Sequence, residues 1–374
     1  MRMARHSLSA ITIEGFTSIR SAQVPLGSMN VLVGANGAGK SNFIQALGLL
    51  SSIVDGDLGL HVGLHGGAAE MSYKGSSQSS IGLTLDLSAA SYRIRLVPAA
   101  NDELIFDLEE ISKTAPELPY RRELGQGHRE SRLEQAVDEH DAAAELIHAV
   151  LKGCRVYHFD DTSRDAPVKR QAPTADNLAL RDDAANLAPV LLRLQRSDRS
   201  EDKAAYRRIT STIRLVAPFF KDFVLDDEYG TDRVRLRWVH KELDGIFSAE
   251  QMSDGTLRFV CLATLLMQPR LPGLVVLDEP ELGLHPYAIV VLADMLRRAA
   301  AQSQVLIATQ SVTLMNQFTV DDLIVVEQHD GSSSFGKPNP DALRTWLEDY
   351  SLGELWEKNL IGGQPGSRGS VLND

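Results

Sequence analysis

The sequence predicts an α/β fold, a mixed sheet with flanking helices that is interrupted by a mainly helical insertion. Three observations carry the prediction. Strand-like apolar runs and helix-period segments alternate near both ends of the chain, as they do in α/β cores. One of those runs, at residues 30–33, ends in a glycine-rich loop that opens a helix. Between the two ends, apolar residues recur at helical rather than strand spacing.

In chain order, Ile11, Ile13 and Gly15 alternate with Thr12 and Glu14, and a second alternation runs over residues 19–24. Both read as strands. Residues 30–33 form a short apolar run that suggests a buried strand, and 41–50 read as a helix. Residues 51–80 are rich in Gly and Ser and read mostly as loop. Strands are expected near 81–87 and 92–97. Over residues 130–152 the apolar positions Leu133, Val137, Ala144, Ile147 and Leu151 approach helical spacing. Tyr206, Ile209, Ile213 and Val216 repeat it more cleanly until Pro218 stops the pattern. Strand character returns at 233–241. A helix (257–267), a buried strand (274–277), a helix (287–301) and two strands (305–308 and 323–327) follow. The tail, 362–374, is expected to be loose. No internal repeat and no sustained heptad pattern is present.

Composition narrows the function. The 374 residues are 43% hydrophobic and 24% charged, enough apolar material for a sizeable core and an ordinary globular surface. With 38 basic against 50 acidic side chains the formal charge is −12. That argues against a general DNA-coating protein, because duplex binding rests on neutralising phosphates. Cys154 and Cys261 are too few for a disulfide framework or a zinc site. No apolar run is long enough to span a membrane, and the basic start lacks a signal-peptide core. A cytoplasmic protein with no membrane partner is the expectation.

The sharpest signal is Gly34-Ala35-Asn36-Gly37-Ala38-Gly39-Lys40-Ser41, with Asn42 following, which satisfies G-x-x-x-x-G-K-[ST]. Glycines let the backbone close around a phosphate, and the loop N–H groups point inward. Lys40 would reach the β- and γ-phosphates of ATP, and Ser41 would coordinate Mg²⁺. The helix that follows turns its positive end toward the anion. A second carboxylate site comes from Leu274-Val275-Val276-Leu277-Asp278-Glu279. The apolar run delivers Asp278 to a strand end, where it can hold Mg²⁺ through water, and Glu279 is placed to polarise the attacking water.

From here the chain resembles a family. Asp278-Glu279-Pro280-Glu281-Leu282-Gly283-Leu284-His285-Pro286 is similar to the extended Walker B and D-loop of ABC-type ATPases, closest to the RecF, SMC and OLD-type heads. Met252-Ser253-Asp254-Gly255-Thr256, with Ser253 25 residues before Asp278, resembles that branch's signature. Gln310, 32 residues after Asp278, stands where the family has its switch residue, which is His in many members. Gln can hydrogen-bond a γ-phosphate but cannot carry charge as imidazole does, so slow turnover is expected. Residues 157–163, 217–220 and 350–356 also resemble segments of predicted prokaryotic RecF-like ATPases. The resemblance divides the chain into an ATPase head at 1–110 and 226–335, a mainly helical insertion at 111–225, and an extension at 336–374.

The resemblance implies a homodimer with two ATP molecules between the heads, Ser253 and the backbone at Gly255 capping the partner's γ-phosphate. A plain helix cap by Ser253 or Asp254 is the alternative, worth about 1 kcal/mol and needing no partner. Only 64 residues follow Gln310, too few for the Toprim nuclease domain of OLD-type proteins. A separately encoded effector, or DNA, is therefore the expected partner, in phage defence or DNA repair. A slow, ATP-stabilised scaffold is the competing reading, and a transporter subunit is disfavoured by the large insertion.

Weaker signals remain. Arg233, Arg235 and Arg237 alternate with Val234, Leu236 and Trp238, which would set three guanidinium groups on one face of a strand, with Asp226, Asp227 and Glu228 near to neutralise them. His61 and His65, four apart, lack a third ligand nearby. Cys261 reads as buried and inert, the three Trp residues as packing anchors, and Gln78 as one option for the glutamine that contacts Mg²⁺ in other ABC heads.

Overall fold

The computed structural model describes residues 7–75, 80–113, 120–226 and 230–363. The chain forms two compact units. The first comprises Met1–Val156, Pro272–Val276 and Leu306–Asp374; the second comprises Tyr157–Leu271 and Leu277–Val305.

In chain order the elements begin with β1 (Leu8–Phe16), β2 (Ile19–Pro25), β3 (Met29–Val33), α1 (Lys40–Asp55), α2 (Leu58–Leu64) and α3 (Ala68–Met71). They continue with β4 (Ile81–Leu87), β5 (Ala90–Pro98), β6 (Leu104–Lys113), β7 (Tyr120–Gly125), α4 (Leu133–Asp138), α5 (Ala142–Lys152) and β8 (Cys154–Tyr157). Next come β9 (Ala172–Pro173), α6 (Leu187–Arg196), α7 (Ser200–Val216), β10 (Phe220–Val224), β11 (Arg233–Val234), β12 (Arg237–His240), β13 (Ile246–Ser248) and α8 (Asp254–Met267). The rest are β14 (Leu274–Asp278), α9 (Pro286–Ala300), β15 (Gln304–Thr309), α10 (Val312–Met315), β16 (Leu323–His329), β17 (Ser332–Gly336), α11 (Pro340–Leu343), α12 (Trp346–Asp349) and α13 (Leu352–Glu357).

The first unit holds two six-stranded sheets. One is antiparallel throughout, in the order β2-β1-β4-β5-β6-β7. The other runs β17-β16-β3-β15-β14-β8, with β16 parallel to β3. Strand β3 is buried at every position, as is β15, so both sheet faces are covered there. Helix α1 is buried over most of its circumference, through Phe43, Ile44, Ala46, Leu47, Leu49, Leu50, Ile53 and Val54. A helix apolar on so many sides belongs inside a core. Its residues join one hydrophobic cluster with side chains of both sheets and of α4 and α5.

In the second unit, α7 packs on α6, α8 and α9, and α8 also packs on α9. Tyr206, Ile209 and Ile213 are the buried face of α7, as their spacing predicts, and the helix ends just before Pro218. Small sheets β10-β12-β13 and β11-β9 complete the unit.

Four expectations need correction. Residues 51–75 are not mostly loop: α1 runs on to Asp55, and α2 and α3 follow, burying Leu58 with Val62 and Ala68 with Met71, while 76–79 lie outside the described residues. The predicted helices near 130–152 are α4 and α5 of the first unit. The first division of the chain falls after Val156 and not at 110, because β6 and β7 extend the antiparallel sheet. Strand β6 carries no clear strand pattern in the sequence, because Glu109 and Glu110 are buried beside Ile111 and break the polar-apolar alternation. Finally, residues 233–241 are two strands in different sheets, β11 against β9 and β12 between β10 and β13.

Candidate functional site

In the first unit the glycine-rich loop follows β3 and opens α1. At Gly34 a Cβ would lie 2.3 Å from the Val326 carbonyl oxygen, so only glycine lets β3 and β16 stay this close. Gly37 and Gly39 have φ of 76° and 116°, conformations that favour glycine. The Ala38 N–H donates to the Ala35 carbonyl at 3.2 Å and tightens the turn. No side chain caps the start of α1. The first N–H groups of this 16-residue helix therefore present their positive end to the loop, an arrangement suited to phosphate. Nothing lies within 4 Å of where a Cβ at Gly37 would stand, so the loop apex is open to a ligand. The loop thus fits a nucleotide phosphate.

Lys40 is buried, and its ammonium donates to the carbonyls of Gly34 (2.8 Å) and Ala35 (3.0 Å) across the loop. Asn36 and Ser41 are exposed, which leaves the Ser41 hydroxyl open to a metal. Two predicted binding residues are engaged elsewhere. The Ala35 N–H donates to the Gly363 carbonyl at 2.8 Å, and the Asn42 amide donates to Ser18 Oγ at 2.6 Å. Gln310 follows β15 and is half-buried, in a turn fixed by Ser311 N–H donating to Thr309 Oγ1 at 2.9 Å.

In the second unit, Asp278 ends β14 and is half-buried. Glu279 has φ of 43°, a left-handed backbone unusual for a residue with a Cβ. A turn follows, with Leu282 N–H on the Glu279 carbonyl and Gly283 at φ 76°, before His285 caps α9. Ser253 is the N-cap of α8: its Oγ accepts from Thr256 N–H at 3.3 Å and lies 2.8 Å from Thr256 Oγ1. Both Ser253 and Asp254 are exposed. The signature and the D-loop turn touch within this unit. A Cβ on Gly255 would stand 2.4 Å from the Gly283 carbonyl oxygen.

Arg258, one turn into α8, has no signature in the sequence. Its guanidinium donates to the carbonyls of Phe159 (2.9 Å), Asp160 (3.0 Å) and Leu282. The partners are main-chain oxygens, which carry no residue-type signal, so spacing alone could not have found this clasp.

Residues 29–316 match the family described as "AAA domain, putative AbiEii toxin, Type IV TA system". This chain belongs to that AAA family. Among solved structures, the AAA chain resembles an Smc head bound to the C-terminal winged-helix domain of ScpA (TM-score 0.55, 16% identity, 94% of this chain and 99% of that one). It also resembles the Smc head domain with an extended coiled coil bound to the C-terminal domain of ScpA from Pyrococcus furiosus (TM-score 0.54, 15% identity, 92% and 99%). At these identities the likeness is one of fold, that of the ABC-type P-loop head. No curated protein matches the chain in sequence. Membership of that family supports an ATP-binding ATPase of the AAA type.

Other predicted features resolve locally. Arg233 is exposed and donates to the Gln171 carbonyl at 2.8 Å, whereas Arg235 and Arg237 are half-buried. The three do not share one strand, because the pairing breaks at Arg235 and Leu236. His61 stacks on His65 at 4.0 Å and bonds Ser52 Oγ at 2.8 Å; among the described residues no group of three or more His, Cys, Asp or Glu could hold a metal. Burial pushes the Cys261 thiol up to about 12, which leaves it unreactive. Trp238 is buried, whereas Trp346 is 41% exposed and meets the Tyr350 ring at 6.1 Å between centroids. Gln78, Asp227 and Glu228 lie outside the described residues.

Proposed function

We propose that this AAA-family chain hydrolyses ATP slowly, dimerises around it, and uses the dimer as a switch for a separately encoded effector or a DNA-related process. The observation that carries the reading is the loop at Gly34–Ser41: positive-φ glycines, a buried lysine across its mouth, and an uncapped 16-residue helix behind it. In this reading Lys40 neutralises the β- and γ-phosphates. Ser41 and, through water, Asp278 would hold Mg²⁺, which when bound would neutralise charge on the phosphates. Glu279 takes the proton from the attacking water, and Gln310 hydrogen-bonds the γ-phosphate.

Ser253 acts in trans. Its exposure at the positive end of a 14-residue helix supports that role, though its N-cap bond to Thr256 also serves the helix itself. Leu282, Tyr287 and Val290 add exposed apolar surface on the D-loop and on one face of α9, which suits contact with a second copy. The solved Smc heads are bound to ScpA, and a separate protein partner is proposed here by that analogy. Phage defence and DNA repair are the contexts we favour.

Gln310 favours a second reading, an ATP-stabilised scaffold that organises partners with rare turnover. Phosphate release separates the two. Wild-type protein should turn over above background, and Lys40→Ala and Glu279→Gln should each lose about 100-fold or more, the scale of losing a general base. ATP binding without turnover selects the scaffold, and no ATP binding contradicts both.

A further inference from the structure

The C-terminal extension returns to the phosphate-binding loop. Residues 361–363 are buried, and the Gly363 carbonyl accepts the Ala35 N–H at 2.8 Å. The Gly363 N–H in turn donates to Glu327 Oε1 at 2.9 Å. Glu327 lies on β16, the strand beside β3, with its side chain 13% exposed. Gly362 and Gly363 both have φ of 82°, so the segment hooks in a way that side-chain-bearing residues resist. A Cβ on Gly363 would lie 3.1 Å from Trp356 Nε1 and 3.4 Å from Gly34 Cα. The hook is therefore fitted against the loop and not merely near it.

One peptide plane links this hook to Lys40. The Ala35 N–H and the Gly34 carbonyl belong to the same planar unit, so turning one turns the other. The N–H side is held by Gly363, and the carbonyl side accepts the Lys40 ammonium at 2.8 Å. We infer that Gly363 and Glu327 are positioning residues for the phosphate loop. Through the Gly34–Ala35 peptide they fix the loop entrance and the Lys40 ammonium, so nucleotide affinity depends on the C-terminal extension. The inference rests on the nucleotide reading of Lys40 given above. Without the Glu327 acceptor, the hook and the peptide plane gain freedom that binding must remove.

The test is titration of full-length variants with a fluorescent ATP analogue, beside their unfolding midpoints without nucleotide and hydrogen exchange at the Ala35 amide. Glu327→Ala should weaken binding about tenfold and speed Ala35 exchange, as expected when preorganisation is lost. Glu327→Gln keeps an oxygen acceptor for Gly363 and should stay within about twofold of wild type. Gly363→Ala is the second variant, and should weaken binding as Glu327→Ala does. Folded Glu327→Ala and Gly363→Ala proteins that bind like wild type overturn the inference, as does a Glu327→Gln loss equal to that of Glu327→Ala. Wild-type protein that binds no nucleotide overturns the reading of Lys40 instead, and Ala35 exchange still reports whether the hook holds the loop.

Discussion

Glu279 sits at φ 43°, where a Cβ costs about 1–2 kcal/mol. Positions held against their backbone preference concentrate at functional sites, and this one follows the Asp278 strand end directly. Glycine would relieve the strain. Glu279→Gly is expected to equal wild type or gain up to about 1 kcal/mol in urea unfolding, while phosphate release is lost. A stability loss well beyond about 1 kcal/mol would recast the carboxylate as a structural prop. His61 offers a pH test. Burial, and then the neighbouring His65, lower its pKa from the ordinary 6.5 to about 4. The unfolded chain therefore binds this proton more readily than the folded one. Above pH 6.5 the ring is neutral in both states, and stability is lost as pH falls from there toward 4. Ser52 from α1 and His65, which follows the last residue of α2, are polar groups against it. Thermal melts at pH 7 and 4.5 should show a larger drop for wild type than for His61→Asn.

At the scale of elements, α8 and the D-loop turn are joined by the Arg258 fork and by the glycine contact at 255 and 283. Lysine keeps the charge but lacks the planar fork that reaches several carbonyls. Arg258→Lys is expected to destabilise by about 1–3 kcal/mol through carbonyls left without a donor, and chemical denaturation would measure it. An unchanged midpoint would show that the clasp holds nothing. The elements legible from sequence were those whose burial follows one simple rule. Strands β3, β14 and β15 are apolar runs because both their faces are covered, and α7 shows its buried face at clean helical spacing. Strand β6 was hidden by Glu109, which is fully buried yet bonded to Tyr92, Ser131, His128 and the Arg132 N–H. Those partners come from elsewhere in the chain, so a local pattern cannot announce them. Helices α2 and α3 were masked by glycines that serve as turns between them.

At the scale of the whole molecule, the two compact units each carry part of the predicted ATPase machinery: the phosphate loop and Gln310 in the first, the signature, Asp278 and Glu279 in the second. The motifs were readable because each is contiguous and its chemistry is local. Glu327 and Gly363, which brace the phosphate loop, and Ser333, whose hydroxyl stands where a Cβ at Gly39 would fall, lie far along the chain from it and match no motif. Only the fold brings them there. We propose that ATP assembles two copies of this chain. The most direct test is the solution mass of Glu279→Gln protein with and without Mg-ATP, beside Lys40→Ala, because replacing the proposed base should trap whatever ATP assembles. The expected mass doubles with Mg-ATP and stays single when Lys40 is replaced. A mass indifferent to ATP, whether monomeric or oligomeric throughout, would contradict it.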